Sequence, residues 1–347
     1  MTETEASPRR RPSMLDVAET AGVSKAAVSK VIRNAYGVSP AMRERVEAAI
    51  RELGYRPSIA ARSMRGASFT LGFEIPQLAN DFFTQVMQGA ADELAGSGYQ
   101  LFVAPAVGDV QGAPVLQALR DRRVDGIVAI SPDAAPEWLE QLGVEVPLVL
   151  LGRHDPSRSY DTVTSDDAAG ARLAMAHLIE LGHRDIAHLT VDASPQVPEE
   201  LLPHTRRLHA YTEAMRQIGA QACVVSGGPL ELQARDAAWE LLSGPGRPTA
   251  VFAANDTLAI GTLRARAELG LNADELSVVG YDNIDLASHP LISLTTVDQR
   301  GHETGAIATR LLLDRIRTGR AEAHHEVIAP ALRVRGSTRP PEEQQPG

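Results

Sequence analysis

Cysteine is almost missing from these 347 residues, with Cys223 standing alone. One thiol closes no internal disulfide and offers no thiolate cluster for zinc, which points to a reducing compartment, the cytoplasm. Lysine is nearly as scarce: Lys25 and Lys30 are the two examples. No run of 18 or more apolar residues occurs, which argues against a membrane-spanning helix and against a membrane partner. Residues Met1 to Pro12 hold no apolar stretch and include Arg9, Arg10 and Arg11, so no secretory signal is expected. The signatures of several enzyme classes are absent too. Ser226-Gly-Gly228 is not the Gly-x-Ser-x-Gly of a nucleophile elbow. A phosphate loop ending in Gly-Lys is ruled out by where the lysines lie. His183 with His188, and His324-His325, lack the spacing of a zinc motif. No catalytic residue, metal site or cofactor is therefore expected.

What is present is an uneven charge. Residues 1–66 carry 12 Lys and Arg against 7 Asp and Glu, a net +5; the chain as a whole holds −10, so the remainder holds −15. A basic head on an acidic body suits a protein of which one end meets polyphosphate. Arginine bias explains the shortage of lysine, but not why both survivors fall five residues apart in one short helix.

That helix belongs to a recognisable unit. Ser13 begins a first helix running to Thr20 or Ala21, and Gly22 supplies a turn residue tolerant of positive φ. Ser24 is placed to cap a second helix over Lys25–Ile32, with Ala27, Val28 and Val31 as its apolar positions. Ser39 and Pro40 start a third, which buries Val46, Ala49, Ile50 and Leu53 and ends at Gly54. Three short helices with a glycine turn between the first two read as a helix-turn-helix over 13–57. Residues 58–67 form a short stretch, bounded by Pro57, that is too short to hold a helix alone in water.

From Phe69 the rhythm changes. Strands are expected at 70–75, 100–104, 126–130, 148–151, 186–189, 222–225, 250–253 and 277–281. Helices are expected at 82–95, 168–181, 205–218, 232–242, 256–268 and 303–317. Such alternation gives parallel sheets covered on both faces, with ligands bound beyond the carboxyl ends of the strands, and the count suffices for two sheets. Residues 1–12 are expected to be a disordered basic arm, and the Pro-, Glu- and Gln-rich tail 339–347 to be disordered as well.

The residues then resemble a known family. Asp16-Val-Ala-Glu-Thr-Ala-Gly-Val-Ser24, Ala27-Val-Ser-Lys-Val-Ile32, Arg43-Glu-Arg-Val-Glu-Ala-Ala-Ile50, Leu53-Gly-Tyr-Arg-Pro57 and Ala60-Ala-Arg-Ser63 are similar to the lactose/galactose repressor family. So are Asn80-Asp-Phe-Phe83, Val124-Asp-Gly-Ile127, Leu181-Gly-His-Arg184, Asn255-Asp-Thr-Leu-Ala259 and Ser277-Val-Val-Gly-Tyr-Asp-Asn283. The resemblance runs from about Ser13 to Thr338. It implies a helix-turn-helix head, a hinge helix over 58–67, and an α/β body over 68–338 like the periplasmic sugar-binding proteins. That body has two doubly wound parallel-sheet subdomains. The first is placed at about 68–160 and 290–320, the second at about 161–289 and 321–338.

The same resemblance assigns roles. Lys25, Ala26 and Lys30 fall where relatives read base edges, and lysine can donate to O6 and N7 of guanine. Ser24, Ser29 and Arg43 fall at phosphate-contacting places. Arg33 stands where the family has asparagine and can reach a phosphate or a base. Met64 replaces the hinge leucine that wedges into the minor groove. The effector-binding set is Asn80, Phe82, Phe83, Arg153, Asp166, Asp167, Arg207, Asn255 and Asp282. Amides, carboxylates and arginine around an aromatic plate suit a sugar. Asp166 and Asp282 have a second reading, as helix caps or holders of the inter-subdomain hinge. One head buries too little surface for tight DNA binding, so a homodimer on a pseudo-palindromic operator is expected.

Overall fold

The computed structural model describes residues 12–32, 35–55, 67–106, 111–194 and 196–341. Arg33, Met64 and residues 58–66 of the expected hinge lie outside that set, as do most of the N-terminal arm and the last residues of the tail. The chain divides into two compact units, residues 1–68 and 69–347.

The head is three helices: α1 (Met14–Ala21), α2 (Lys25–Ile32) and α3 (Pro40–Leu53). Each start is set by a serine. The Ser13 hydroxyl accepts the Asp16 amide while the Asp16 carboxylate accepts the Ser13 N–H at 2.6 Å, which satisfies two otherwise orphan donors. Ser24 accepts the Ala27 amide at 3.1 Å, and Ser39 the Met42 amide at 3.3 Å. Gly22 ends α1 at φ 63, a conformation that side-chain-bearing residues avoid. Val17, Ala18, Val28, Val31, Val46 and Ala49 make the small core.

The body holds two six-stranded sheets. Sheet one contains β1 (Thr70–Ile75), β2 (Gln100–Pro105), β3 (Gly126–Ile130), β4 (Leu148–Leu151), β5 (Asp161–Ser165) and β11 (His325–Ile328), in the order β11-β5-β4-β3-β1-β2, all parallel. Sheet two contains β6 (Ile186–Thr190), β7 (Cys223–Ser226), β8 (Ala250–Ala253), β9 (Ser277–Asp282), β10 (Thr295–Asp298) and β12 (Ala331–Arg333). Its order is β12-β10-β9-β8-β6-β7, parallel except for β12 against β10.

Helices cover both faces of each sheet. α4 (Asp81–Glu93) and α11 (Gly301–Thr318) pack one face of sheet one, α5 (Ala113–Asp121) and α6 (Pro136–Glu145) the other. α7 (Asp167–Glu180) and α8 (Pro203–Gln217) pack one face of sheet two, α9 (Glu231–Ser243) and α10 (Asp256–Glu268) the other. α4 and α11 cross at glycines: a Cβ on Gly89 would lie 1.9 Å from the His302 carbonyl oxygen, and one on Gly305 1.9 Å from that of Val86. Glu74 on β1 is 1% exposed, and its carboxylate accepts the Ile130 amide at 3.2 Å. Burial pushes its pKa up to about 8.

The chain passes between the sheets three times, after β5, after β10 and after β11. These points correct the boundaries expected from sequence. Residues 161–165 and 325–328 belong to sheet one, and 295–298 to sheet two, so each crossing falls several residues later. The reason is that β5, β10 and β11 are short and rich in polar residues, and were not recognised as strands.

Candidate functional site

On the head, α2 presents Ser24, Lys25, Ala26 and Lys30 as exposed residues, while Arg43 in the first turn of α3 is half-buried. Ser29 is 6% exposed, and at helical spacing it falls on the side of α2 between Lys25 and Ala26, not on that of Val31.

The body holds a cavity of about 400 Å³ between its two sheets. It lies where the strands end, as a doubly wound fold dictates. Asn80 follows β1 and caps α4, its Oδ1 accepting the Phe82 amide at 2.9 Å. The cap turns Phe82 and Phe83 into the cavity, edge to face with ring centroids 6.0 Å apart. Asn255 follows β8 and caps α10, accepting the Leu258 amide at 2.9 Å. Asp282 ends β9 at φ 123, a backbone state strained for any residue but glycine. Gln299, just past β10, holds its carboxylate at 2.5 Å, so Asp282 both lines the cavity and anchors a chain crossing.

Arg207 and Asp167 form the charged floor. The Arg207 Nε and Nη2 donate to Asp167 at 2.8 and 2.7 Å, Nη1 donates to the Ala254 carbonyl at 2.6 Å, and the guanidinium sits 3.6 Å over the Tyr281 ring. His154 meets the other Asp167 oxygen at 2.8 Å. Burial alone would raise the Asp167 pKa, but Arg207 and His154 overcome it and hold the carboxyl below its usual range. Asp282 lacks so strong a partner. Burial pushes it up to about 7 against the pull of Arg207 and Gln299. Asp256, behind it, is raised by burial and then by the charge of Asp282.

Groups from the two lobes also bond to each other directly. The Ser194 hydroxyl donates to Asp133, and Gln85 donates to the Asn283 carbonyl and to Asp285, each at 3.1 Å. The His154 amide donates to the Leu201 carbonyl at 3.0 Å.

Two expected effector contacts are corrected. Arg153 is fully buried away from the cavity: it donates to both Asp155 oxygens and to the carbonyls of Pro132 and Ala134, and so pins one turn of the first lobe. Asp166 caps α7 by accepting the Ala169 amide at 2.9 Å and does not line the cavity, which is the second reading the sequence left open. Asn80, Phe82, Phe83, Asp167, Arg207, Asn255 and Asp282 all line it. Sequence reasoning missed Gln77, Ser131, Asp133, Asp192, His204 and Gln299. Ser131 directly follows β3, and Asp192 follows β6 by two residues as Asn255 follows β8, so the strand-end rule reaches both; Gln299 follows β10, whose polar sequence does not mark a strand.

A helix-turn-helix head joined to a two-lobed body with a cleft between its lobes defines a ligand-responsive, DNA-binding transcription regulator. Residues 13–58 match the model described as bacterial regulatory proteins, lacI family, and residues 175–338 that of a periplasmic binding protein-like domain. The chain is similar to the ribose operon repressor of Escherichia coli K12, 34% identical over 94% of this chain and 99% of that one. Among solved structures it is similar to the lac repressor dimer bound to operator and the anti-inducer ONPF, at 27% identity and TM-score 0.79 over 95% of this chain and 100% of that one. It is also similar to the transcriptional regulator CelR–cellobiose complex, at 30% identity and TM-score 0.68 over 94% and 100%. The chain belongs to the lacI family of bacterial regulatory proteins. The relatives named here are transcription regulators, not enzymes. No helix among the described residues is long and apolar enough to cross a membrane.

Proposed function

We propose that this protein is a cytoplasmic repressor that binds a pseudo-palindromic operator as a homodimer and responds to a sugar held in the cleft. Lys25, Ala26 and Lys30 read base edges in the major groove, with Ser24, Ser29 and Arg43 on phosphates. Arg33 adds a further DNA contact, and Met64 wedges the minor groove at the operator centre. The sugar favours one arrangement of the two lobes, and residues 58–67 relay that preference to the heads by ordering or melting.

The observation that carries this reading is the 400 Å³ cleft with Asn80, Asn255 and Asp282 at its strand ends and Arg207 on α8. Amides and carboxylates serve hydroxyl groups as acceptors and donors, and Phe82 and Phe83 offer an apolar plate. Relatives whose names include a ribose operon repressor and a cellobiose complex support the ligand class. The test is selection from a random DNA pool with the purified full chain, followed by screening of sugars against the selected site. A palindromic winner whose affinity changes with one sugar is expected. A pool without enrichment over scrambled duplex refutes the proposal.

A further inference from the structure

We infer that the cleft takes an uncharged or amino-bearing polyhydroxyl ligand and rejects the phosphate ester and the sugar acid. The inference rests on the effector reading above and narrows it. Among the described residues the cavity is lined by four carboxylates, Asp133, Asp167, Asp192 and Asp282, against one guanidinium, that of Arg207. Even with Asp282 protonated the balance stays negative.

An anionic ligand needs cationic N–H donors that are free to turn toward it. The charge of Arg207 is already offset by Asp167: three of its five N–H groups go to Asp167 and the Ala254 carbonyl and one face is covered by Tyr281, which leaves two N–H groups of a paired guanidinium for a ligand. His204 also lines the cavity but supplies no charge, because burial, reinforced by the neighbouring Arg207, pushes its pKa down to about 4. No ammonium can replace them, since both lysines lie in the head. Apart from Arg207, the polar groups toward the ligand are neutral or acidic: Gln77, Asn80, Ser131 and Asn255 beside Asp192 and Asp282. Hydroxyls find acceptors and amide donors there, and an ammonium finds carboxylates. A phosphate or carboxylate meets like charge in a partly desolvated space. A regulator that reads the free ligand and not its ester reports ahead of the phosphoryl-transfer reaction that consumes that ligand.

The test uses full-length protein and matched probes, followed by thermal shift and calorimetry: ribose with ribose 5-phosphate, glucose with glucose 6-phosphate, galactose with galacturonate, and glucosamine as the cationic member. A neutral or amino member is expected to bind, with its anionic counterpart weaker by about tenfold or more. Added salt and the substitution Asp192→Asn should both narrow that ratio. An anionic member that binds as tightly as its neutral partner overturns the inference. If no probe binds while operator affinity is intact, the sugar reading itself fails and this inference falls with it.

Discussion

The Asp167 carboxylate is shared between Arg207, on the same lobe, and His154, which reaches it from the end of the other sheet. A residue buried this deeply depends on both partners. Arg207→Leu leaves Asp167 with His154 alone, and breaking a buried pair from one side costs about 3–5 kcal/mol. Urea unfolding of the full chain measures the loss. A change near zero would mean that the pair is solvated and the cleft open.

The head gives a separate readout. Lys25→Ala and Lys30→Ala should each weaken operator binding by about 1–3 kcal/mol and relax the preference at one base pair per half-site. Mobility shifts on the selected operator and on single-base variants distinguish this from a phosphate contact, which would weaken every sequence equally.

The α4–α11 crossing predicts a sharp contrast between two glycines. Gly305→Ala drives a methyl into the Val86 carbonyl, with an expected cost of about 1–3 kcal/mol or more. Gly244→Ala meets nothing nearer than 3.5 Å and should be close to neutral. Thermal melts of the two variants beside the parent settle the matter.

Glu74 gives the pH dependence a defined sign. Its folded pKa of about 8 lies above the unfolded value of about 4.3. Between those values the folded chain keeps a proton that the unfolded chain has released, so stability falls as pH rises across the window and levels above it. Glu74→Gln keeps an acceptor for Ile130 but has no proton to lose. The gap in melting midpoint between variant and parent should therefore widen from pH 5 to pH 8, and parallel curves would refute the assignment.

The head was legible almost residue by residue because its signals are local. Ser13, Ser24 and Ser39 cap, Gly22 and Gly54 terminate, and the apolar spacing names the core. The body was legible where strands are apolar, as at Gly126–Ile130 and Ala250–Ala253. It was not legible at Asp161–Ser165, where all five residues are buried but four are polar. Asp161 sits there because Arg315 and Arg320 satisfy it from more than 150 residues away, a pairing that no local pattern reveals. The same blindness moved the lobe boundaries and hid Gln299. Arg153 failed as an effector contact for a related reason: its partner Asp155 is two residues away, and a sequence does not say whether such an arginine turns inward or toward a ligand.

The last two strands of the body, β11 and β12, join different sheets, so both lobes depend on the one stretch of chain from His325 to Arg333. A nonsense mutation just past Thr318 would strip an outer strand from each lobe at once, leaving neither half whole. Loss of that stretch should therefore be as severe as damage to the middle of the body, and splitting the gene between the lobes cannot yield two self-sufficient pieces.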